Sequence, residues 1–463
     1  MKVETRSIEY IPENERHGKA RGLFPVWFGA QMHLTTLVTG ALCISFGLNL
    51  FWSVMAIITG NLLGAIFMAS HSAQGPKLGI PQMIQSRAQF GVIGAVIPLI
   101  LVIFMYLGFF ASSGLLGAQV LSNSLSIDLT WSIIIMNGIT FIVTMIGHDL
   151  IHKMQKYLSW FFFIIFLAAT IVVFNLPIPA ESWSPAGFEF STFMLCVSIV
   201  ATWQLSFAPY VADYSRYLPI DTPPAKTFWY TYTGSVIGTV WMMLLGVLLA
   251  VAIPGYLENS GTYLSQLLGN RFVFIMLLAI FLGQLSINVF NLYGSFMSTV
   301  STIEPFTKLK VSPKVRMFFV LGITIIGTLL TIIGKGNFLE YFTNFILLIS
   351  YFLIPWTAIN LVDYYVLRRG EYNIKDMFDL NGQYGKVNWI TTFSFLISII
   401  VEIPFINTSI YVGPIAQSLG GADLAWIVGL VVPSLLYYVM MKRKLYRSPK
   451  VSLSESKTTN LFR

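Results

Sequence analysis

Long apolar stretches alternate with short polar connectors along almost the whole chain. A helix needs about 20 mainly apolar residues to cross the hydrocarbon core of a bilayer. By that measure the pattern predicts twelve transmembrane helices, and no connector is long enough to form a soluble domain. The predicted helices span residues 24–47, 50–70, 90–121, 131–147, 157–176, 191–211, 229–253, 272–300, 317–334, 341–367, 389–406 and 424–441.

The first predicted helix is unusually polar in its middle. Residues 27–40 read WFGAQMHLTTLVTG, so Gln31, His33 and Thr35 fall at mid-membrane depth between two glycines. Polar side chains are costly there unless they face a cavity or another helix, and glycine weakens a helix interior. The segment therefore predicts a broken helix with functional side chains at the break.

The sixth predicted helix has the same character. Residues 200–210 read VATWQLSFAPY, with Trp203 and Gln204 near the middle and Pro209 beyond them. Proline removes a backbone donor and leaves a carbonyl one turn earlier without its partner. Because helices 1 and 6 are five spans apart, they would occupy matching places in two inverted halves. That arrangement is typical of the substrate site of a secondary transporter.

Two more helices are set apart by their composition. Residues 108–119, GFFASSGLLGAQ, contain small side chains that let helices approach closely. Residues 283–295 contain Gln284, Asn288 and Asn291, whose spacing places the three amides on one helical face. Each of these polar residues could instead bond only to a neighbouring helix, since such bonds are common inside membrane proteins.

The overall composition agrees with a membrane protein and excludes other classes. Hydrophobic residues make up 56% of the 463 residues and charged residues only 10%, against roughly 25% in a soluble domain. Two cysteines cannot build a disulfide scaffold. The sequence has neither a phosphate-binding glycine loop followed by Lys-Ser or Lys-Thr nor a full set of metal ligands. An enzyme, an ATP-driven pump and a bound cofactor are therefore not predicted.

The net charge of +8 comes from basic residues that lie between the apolar stretches, which indicates membrane orientation and not binding to nucleic acid. If both termini are cytoplasmic, 26 Lys and Arg residues lie in cytoplasmic segments, and only Arg271 and Lys335 lie outside. This asymmetry predicts a multi-pass protein of the cell membrane, embedded in the lipid bilayer, with both termini in the cytoplasm.

Three polar stretches, residues 75–91, 212–219 and 362–378 with 382–389, resemble parts of the nucleobase–cation symporters of family one, in the branch of the purine–cytosine permeases. Residues 75–91, GPKLGIPQMIQSRAQFG, resemble the loop after helix 2, and residues 212–219, ADYSRYLP, resemble the end of helix 6. Residues 362–378, VDYYVLRRGEYNIKDMF, with GQYGKVNW at 382–389, resemble the loop after helix 10. The stretches are ordered and spaced as in that family, so the resemblance covers nearly the whole chain.

The resemblance implies an all-α membrane fold of the leucine-transporter type, in which two sets of five helices form an inverted repeat and two helices follow. It implies a cytoplasmic segment at 1–23, a transport core at 24–367, a cytoplasmic loop at 368–388, two added helices at 389–441 and a cytoplasmic tail at 442–463. It also implies cation-coupled uptake of a nucleobase, such as a purine or cytosine, or of a relative such as allantoin, a hydantoin or thiamine.

The resemblance also assigns candidate substrate contacts. On helix 3, Phe109 stands where the family has a stacking Trp, and Ser113 stands where Asn or Gln is usual. On helix 6, Trp203 matches the second stacking aromatic residue. On helix 8, Asn288 and Asn291 are both candidates for the residue that bonds the ring of the substrate.

These side chains suit a flat, neutral ligand. Two aromatic faces can hold a ring, and amides such as Gln204 and Asn288 offer a donor beside an acceptor, with Gln31 as a further candidate contact. Thr35 adds a hydroxyl to the same candidate site. Apart from His33, no charged side chain lies firmly at mid-membrane depth on helices 1, 3, 6 or 8. A site without charge favours a neutral substrate, so an amino-acid transporter of the same fold is only the second alternative. A channel is the third, because broken helices and paired aromatic residues disfavour it.

The sequence leaves the coupling ion open between a proton and sodium. Sodium-dependent members of the family hold the ion between helix 1 carbonyls and two hydroxyls of helix 8; the matching positions are Leu285 and Ser286, so one hydroxyl is missing. Histidine is the side chain that most readily changes charge near neutral pH, so His33 favours protons. Backbone carbonyls near Gln31 and Leu34, together with Ser286, are the alternative sodium ligands.

Overall fold

A computed structural model of the protein describes residues 8–146, 148–307 and 312–447, without the side chains of 148–156 and 446–447. The outer parts of the two predicted cytoplasmic end segments, residues 1–7 and 448–463, therefore lie outside the described residues. Within the described ranges the chain is helical and contains no named β-strand.

Eighteen α-helices follow one another along the described chain. They are α1 Leu23–Gly29, α2 Leu34–Ser45, α3 Leu50–Ser72, α4 Gly75–Leu78, α5 Gln82–Phe90, α6 Val96–Leu125, α7 Leu129–Ile146, α8 His148–Val173, α9 Phe190–Leu205, α10 Ala208–Ser215, α11 Pro224–Ala252, α12 Ser260–Gln266, α13 Val273–Ile303, α14 Pro313–Gly334, α15 Phe338–Leu361, α16 Trp389–Glu402, α17 Pro414–Ser418 and α18 Ala425–Arg447.

These helices account for the twelve predicted membrane spans. Within the described residues, nine helical segments are long and apolar enough to cross a membrane. Three shorter apolar helices, Leu34–Ser45, Tyr157–Val173 and Trp389–Phe405, correspond to the other three predicted spans. The first is short because helix 1 is interrupted, and α1 supplies its other half. The pattern of apolar residues therefore predicted the number and order of the spans correctly.

Helix 1 is interrupted between α1 and α2, as its composition predicts. Residues 30–33 separate the two helices, and His33 is extended, with φ −151° and ψ 160°. Backbone groups at such a break lack their usual helical partners and can serve a ligand or an ion. The break therefore places main-chain polar groups next to the side chains of Gln31 and Thr35.

Helix 6 is interrupted more gently, between α9 and α10. Ser206 and Phe207 keep helix-like angles, with φ of −63° and −84°. The N–H of Phe207 donates to the carbonyl of Gln204 at 3.3 Å, which is the tighter spacing of a 3₁₀ turn. Pro209, which has no N–H, follows in the first turn of α10. Both predicted interruptions are therefore present, although only the first extends the chain.

Close contacts hold the two interrupted helices in place. A Cβ atom added to Gly64 in α3 would lie 2.4 Å from the carbonyl oxygen of Ala201 in α9. One added to Gly40 in α2 would lie 2.3 Å from the carbonyl oxygen of Met243 in α11. Larger residues do not fit at these positions, so small residues set the spacing of the helices around the interruptions.

Asp363 ties the last helix to the core. Its buried carboxylate accepts hydrogen bonds from Gln89 Nε2 at 2.9 Å, Tyr372 Oη at 2.8 Å and Tyr437 Oη at 2.8 Å, and Arg368 Nε lies 3.2 Å away. Because Tyr437 belongs to α18 and Gln89 to α5, one carboxylate joins three separate parts of the chain. This part of the third family-like stretch therefore has a structural role here.

Arg87 likewise holds loops together. Its guanidinium is buried, and Nη2 lies 2.8 Å from Glu304 Oε2 and donates to the carbonyl of Ser301 at 2.9 Å. Nη1 donates to the carbonyl of Met377 at 3.3 Å. Arg87 therefore joins α5 to the end of α13 and to the loop after α15.

Arg87→Ala is expected to lower the unfolding temperature of the detergent-purified protein, because Glu304 loses its cation. Breaking a buried ion pair costs about 3–5 kcal/mol, and the low end applies since Glu304 is 27% exposed. Lys77→Ala is the matched control: it breaks the exposed pair of Lys77 and Glu371, 2.8 Å apart, and is expected to cost less than about 1 kcal/mol. Equal shifts in the two variants would contradict this assignment.

Candidate substrate site

Aromatic rings gather where the two interrupted helices meet. Trp203, near the end of α9, is buried, and its ring lies 5.7 Å from that of Phe109 in α6 at an interplanar angle of 90°. The ring of His33, at the break in helix 1, lies 5.8 Å from that of Trp203 at 36°. The structure therefore brings both predicted stacking residues to the break.

A series of hydrogen bonds connects Trp203 with neighbouring helices. Its Nε1–H donates to Oε1 of Gln31 at 2.9 Å. Nε2 of Gln31 donates to the hydroxyl of Ser235 in α11 at 3.2 Å, and that hydroxyl donates to Oε1 of Gln204 at 2.7 Å. Gln31 thus lies beside Trp203, and both ends of its amide are bonded.

Gln204 lies in a buried polar cluster between α3, α9 and α11. Its Nε2 donates to Oδ1 of Asn61 at 2.8 Å and to Oγ1 of Thr239 at 3.0 Å, while Ser235 bonds its oxygen. A ligand contact for Gln204 therefore requires one of these bonds to open. The sequence analysis did not identify Asn61, Ser235 or Thr239, although an asparagine within an apolar span was a usable signal.

A second cluster joins helices 1, 3 and 8. Nε2 of Gln284 donates to Oγ1 of Thr35 at 3.0 Å and to the carbonyl of Ser113 at 3.2 Å. The hydroxyls of Thr35 and Ser113 lie 3.3 Å apart. Two residues predicted from different helices are therefore neighbours, and Gln284 of α13 holds them together.

The two candidate asparagines of α13 have different surroundings. Nδ2 of Asn288 donates to Oδ1 of Asn137 in α7 at 3.5 Å, while Oδ1 of Asn288 has no partner. Asn291 is buried, and its Nδ2 has no partner. A buried polar group without a partner costs about 1–3 kcal/mol, so both side chains keep a group that a ligand can satisfy. Of the two amide nitrogens, only Nδ2 of Asn291 is without any hydrogen bond.

The break in helix 1 packs directly on α13. A Cβ atom added to Gly283 would lie 2.9 Å from the carbonyl oxygen of Met32 and 3.3 Å from Cβ of His33. Leu34, the first residue of α2, and Ser286, one turn beyond Gly283, are both buried. The residues predicted for cation coupling are therefore held on two packed elements.

His33 is the titratable side chain of this site. Its Nε2 lies 3.3 Å from the hydroxyl of Thr36, and its Nδ1 is buried without a partner. One ring nitrogen is thus available to a ligand or to a proton, and the Trp203 ring limits access from one side.

Phe345 of α15 completes the aromatic cluster, and the sequence analysis did not identify it. Its ring lies 5.0 Å from that of Phe109 at 82°. It also covers Gly108, where an added Cβ atom would lie 2.1 Å from the Phe345 ring. Phe345 stands in an ordinary apolar stretch, so neither composition nor spacing distinguished it from residues that face lipid.

Aromatic rings continue from Trp203 along α10. Phe207, Tyr210 and Tyr214 follow one another with centroids 5.7 and 6.4 Å apart, and Tyr214 lies 5.3 Å from Phe290 of α13. The rings of Tyr210, Tyr214 and Phe290 belong to a narrow cleft between α10 and α13, whose other lining residues are Asp213, Arg216, Tyr293, Gly294 and Met297. The cleft leads away from the candidate site toward the second family-like stretch.

Asp213 of that stretch has a structural contact. Its Oδ1 accepts a hydrogen bond from the backbone N–H of Gln82 at 2.7 Å. The bond joins α10 to the start of α5, so this acidic residue fixes a loop and does not place a charge among the candidate substrate contacts.

Comparison with known proteins identifies the family to which the chain belongs. A family model described as a permease for cytosine/purines, uracil, thiamine and allantoin matches residues 10–429. YxlA of Bacillus subtilis (strain 168), whose name describes it provisionally as a purine-cytosine permease, is 64% identical over 445 residues, which cover 96% of this chain and 97% of that protein. The purine-cytosine permease fcyB of Emericella nidulans is 26% identical, over 94% of this chain and 88% of the relative.

Among solved structures, the chain is similar to Mhp1, a transporter of the nucleobase-cation-symport-1 family, in a closed conformation with bromovinylhydantoin bound. The TM-score is 0.77 with 95% of each chain covered, and the identity is 17%. At this identity the likeness concerns the fold alone. It confirms the predicted all-α architecture of the leucine-transporter type, with two added helices.

Proposed function

The chain belongs to the family of permeases for cytosine, purines, uracil, thiamine and allantoin, and we propose that it is a secondary transporter that takes up a nucleobase or a related neutral heterocycle. One observation carries the proposal: Trp203 and Phe109, from two different helices, meet edge to face at the break in helix 1. A flat ring that enters there stacks on one aromatic face and packs against the other.

The groups around the two rings match the edge of a nucleobase. Each aromatic contact contributes about 0.5–1.5 kcal/mol beyond the burial of the ring. The unused donor of Asn291 and the unused acceptor of Asn288 pair with a ring carbonyl and a ring N–H. Gln31, bonded to Trp203, orients the indole.

The absence of charged contacts favours a neutral substrate. Gln31, Thr35, Ser113 and Gln284 are all uncharged, and His33 is the one group among the site residues that titrates. The carboxylate and ammonium groups of an amino acid would lose their hydration here without an opposite charge nearby. This is why a nucleobase fits the site better than an amino acid does.

The test is a competition screen with purified protein in liposomes. Uptake of one labelled base is measured against unlabelled purines, pyrimidines, hydantoins, allantoin, thiamine and neutral amino acids. The proposal expects saturable uptake that at least one heterocycle inhibits and that amino acids leave unchanged. Accumulation of an amino acid, with no response to the heterocycles, would show that the substrate class is wrong.

We further propose that a proton gradient, and not a sodium gradient, drives this uptake. The support is His33, whose Nδ1 is buried without a partner at the break, and Leu285, which supplies no oxygen where sodium-dependent relatives have a hydroxyl. Uptake is expected to rise with an inward proton gradient in sodium-free buffer. His33→Gln, which keeps a polar side chain but cannot titrate, is expected to abolish that rise.

Uptake under a sodium gradient at equal pH is the experiment whose result could contradict proton coupling most directly. If a sodium gradient at equal pH drives accumulation and a proton gradient does not, sodium is the ion, and the carbonyls near Gln31 and Leu34 with Ser286 are its candidate ligands. If protons drive uptake and His33→Gln behaves like the parent, the proton is bound elsewhere.

We also propose that the protein lies in the cell membrane with both termini in the cytoplasm. The support is the distribution of the basic residues, with 26 assigned to cytoplasmic segments and two to the outside. In this orientation residues 24–367 form the transport core and residues 389–441 add two helices. Labelling of single cysteines introduced near Arg271 and near Lys77 from outside intact cells tests it, because only the first is expected to react.

A further inference from the structure

Two carboxylates are fully buried in the helices added to the ten-helix core. Glu402 is the last residue of α16, and Asp423 lies just before α18. A carboxylate within or beside a membrane span is costly and often functional. Neither residue belongs to the candidate substrate site or to the loops that Asp363 and Arg87 hold.

Asp423 receives three hydrogen bonds. Its Oδ2 accepts from Tyr351 Oη in α15 at 2.5 Å and from the N–H of Asn407 at 2.9 Å. Its Oδ1 accepts from the N–H of Ala425 at 3.0 Å. Three donors aimed at one carboxylate stabilise its ionised form.

Glu402 is held differently. Its Oε1 accepts one hydrogen bond, from Ser398 Oγ at 3.1 Å, and its Oε2 is buried with no partner. The carboxyl occupies a space beside Gly429 of α18, where an added Cβ atom would lie 2.7 Å from Oε1 and 3.2 Å from Oε2. The helices therefore leave room for this group without supplying the donors that an ionised carboxylate needs.

No cation offsets the pair. Among the described residues, the titratable groups that act on Glu402 are Asp423 and Tyr351, and no Lys, Arg or His side chain bonds either carboxylate. Two carboxylates without a cation cannot both stay ionised in a low-dielectric interior. Since Asp423 has three donors and Glu402 has only Ser398, the proton of the pair belongs on Glu402.

We propose that Glu402 and Asp423 form a proton-binding site that links proton movement to the position of α15. The inference rests on the proposed function, because the movement of α15 is taken to be part of transport. It assigns a proton-carrying role to the two added helices, beside the role proposed for His33.

An open pocket borders this pair through Tyr351. Tyr351, which bonds Asp423, also lines this pocket of about 400 Å³ between α6, α15 and the segment after α16. Thr408, Tyr411 and Asn344 line the same pocket and add polar groups to a mainly apolar wall. The Tyr351 hydroxyl therefore stands between the pocket and the carboxylates, where it can relay a proton.

The pair is also connected to the candidate substrate site. Tyr351 and Phe345 lie on the same helix, and the ring of Phe345 packs on Phe109. When Glu402 loses its proton, a second negative charge appears beside Asp423, and the repulsion acts on the Asp423–Tyr351 bond. A shift of α15 then moves Phe345 against Phe109.

Infrared spectroscopy of the purified protein tests the site without any transport assay. A buried, protonated carboxyl gives its own C=O band at neutral pH. This band is expected in the parent and in Glu258→Gln, which removes an exposed carboxylate, and is expected to be lost in Glu402→Gln. If Glu402→Gln does not fold, isotopically labelled glutamate in the parent must shift the band. A band that neither change affects would overturn the assignment.

Transport separates this inference from the proposed function. Glu402→Gln is expected to keep counterflow exchange of the substrate at equal pH while losing accumulation driven by a proton gradient. Glu258→Gln is expected to keep both. Gradient-driven accumulation at the parent level in Glu402→Gln would refute the link to transport, although the substrate class would stand. Failure of every heterocycle to be transported would refute the proposed function, while the infrared band still decides whether Glu402 binds a proton.

Discussion

Trp203→Ala is expected to abolish measurable substrate binding while the protein still inserts and folds. The change removes an aromatic face and its buried area, and it leaves Oε1 of Gln31 without the indole donor that lies 2.9 Å away. The combined loss is a few kcal/mol, or more than about tenfold in affinity. Equilibrium binding of a labelled base to the purified variant measures it, with the thermal unfolding profile as the check on folding.

Two other variants show whether the effect is specific. Trp203→Phe keeps a stacking ring and is expected to retain much of the binding, weakened by the lost hydrogen bond to Gln31. Trp229→Ala removes an indole that is 58% exposed on α11, and its affinity is expected to stay within about twofold of the parent. Unchanged affinity in folded Trp203→Ala would mean that this ring packs only against other helices.

Asn291→Ala is expected to weaken binding strongly, and more than Asn288→Ala does. The unused donor of Asn291 is available to a ring carbonyl, whereas Nδ2 of Asn288 already bonds Asn137. A substrate group left unpaired in the buried site costs about 1–3 kcal/mol, which is roughly a five- to 150-fold loss of affinity.

Stability is expected to follow the opposite order. Asn288→Ala removes a hydrogen-bond donor to Oδ1 of Asn137 and opens space beside it, so its unfolding temperature is expected to fall further than that of Asn291→Ala. Binding and unfolding measured on the same two preparations separate the roles. Small and equal losses of affinity in both variants would show that other residues form the hydrogen bonds to the substrate ring.

Much of the fold followed from the sequence because a bilayer demands long apolar helices and penalises polar groups within them. That rule identified the twelve spans and both interruptions. It did not distinguish the extended backbone at His33 from the tightened turn at Ser206, since the extended backbone depends on how the break in helix 1 packs on α13. The close approach of Gly283 to Met32 is such a contact between residues far apart in sequence.

The candidate site was predictable where a residue type was unusual for its place. Trp203 and Phe109 stood out through the family resemblance, and the structure brings them together. Gln204 looked the same in the sequence as Gln31, yet its amide is bonded to Asn61 and Thr239. The neighbouring helices decide which groups an amide bonds, and the sequence pattern does not show which helices are neighbours.

Two residues that the structure places in important contacts, Phe345 and Glu402, had little or nothing in the sequence to indicate their roles. Phe345 is an aromatic residue in an apolar helix, where most such residues only pack or face lipid. Glu402 carried a usable signal, because an acid at the end of the apolar run 389–406 is unusual. Its position beside Asp423 depends on the packing of α16 against α18, which only the structure supplies.

An experimental structure with a transported base bound tests the central claim most directly. The account predicts that the base lies at the break in helix 1, stacked on Trp203 and in contact with Phe109, with its polar edge toward Asn291. A base bound away from both rings, while the same preparation transports it, would contradict the account.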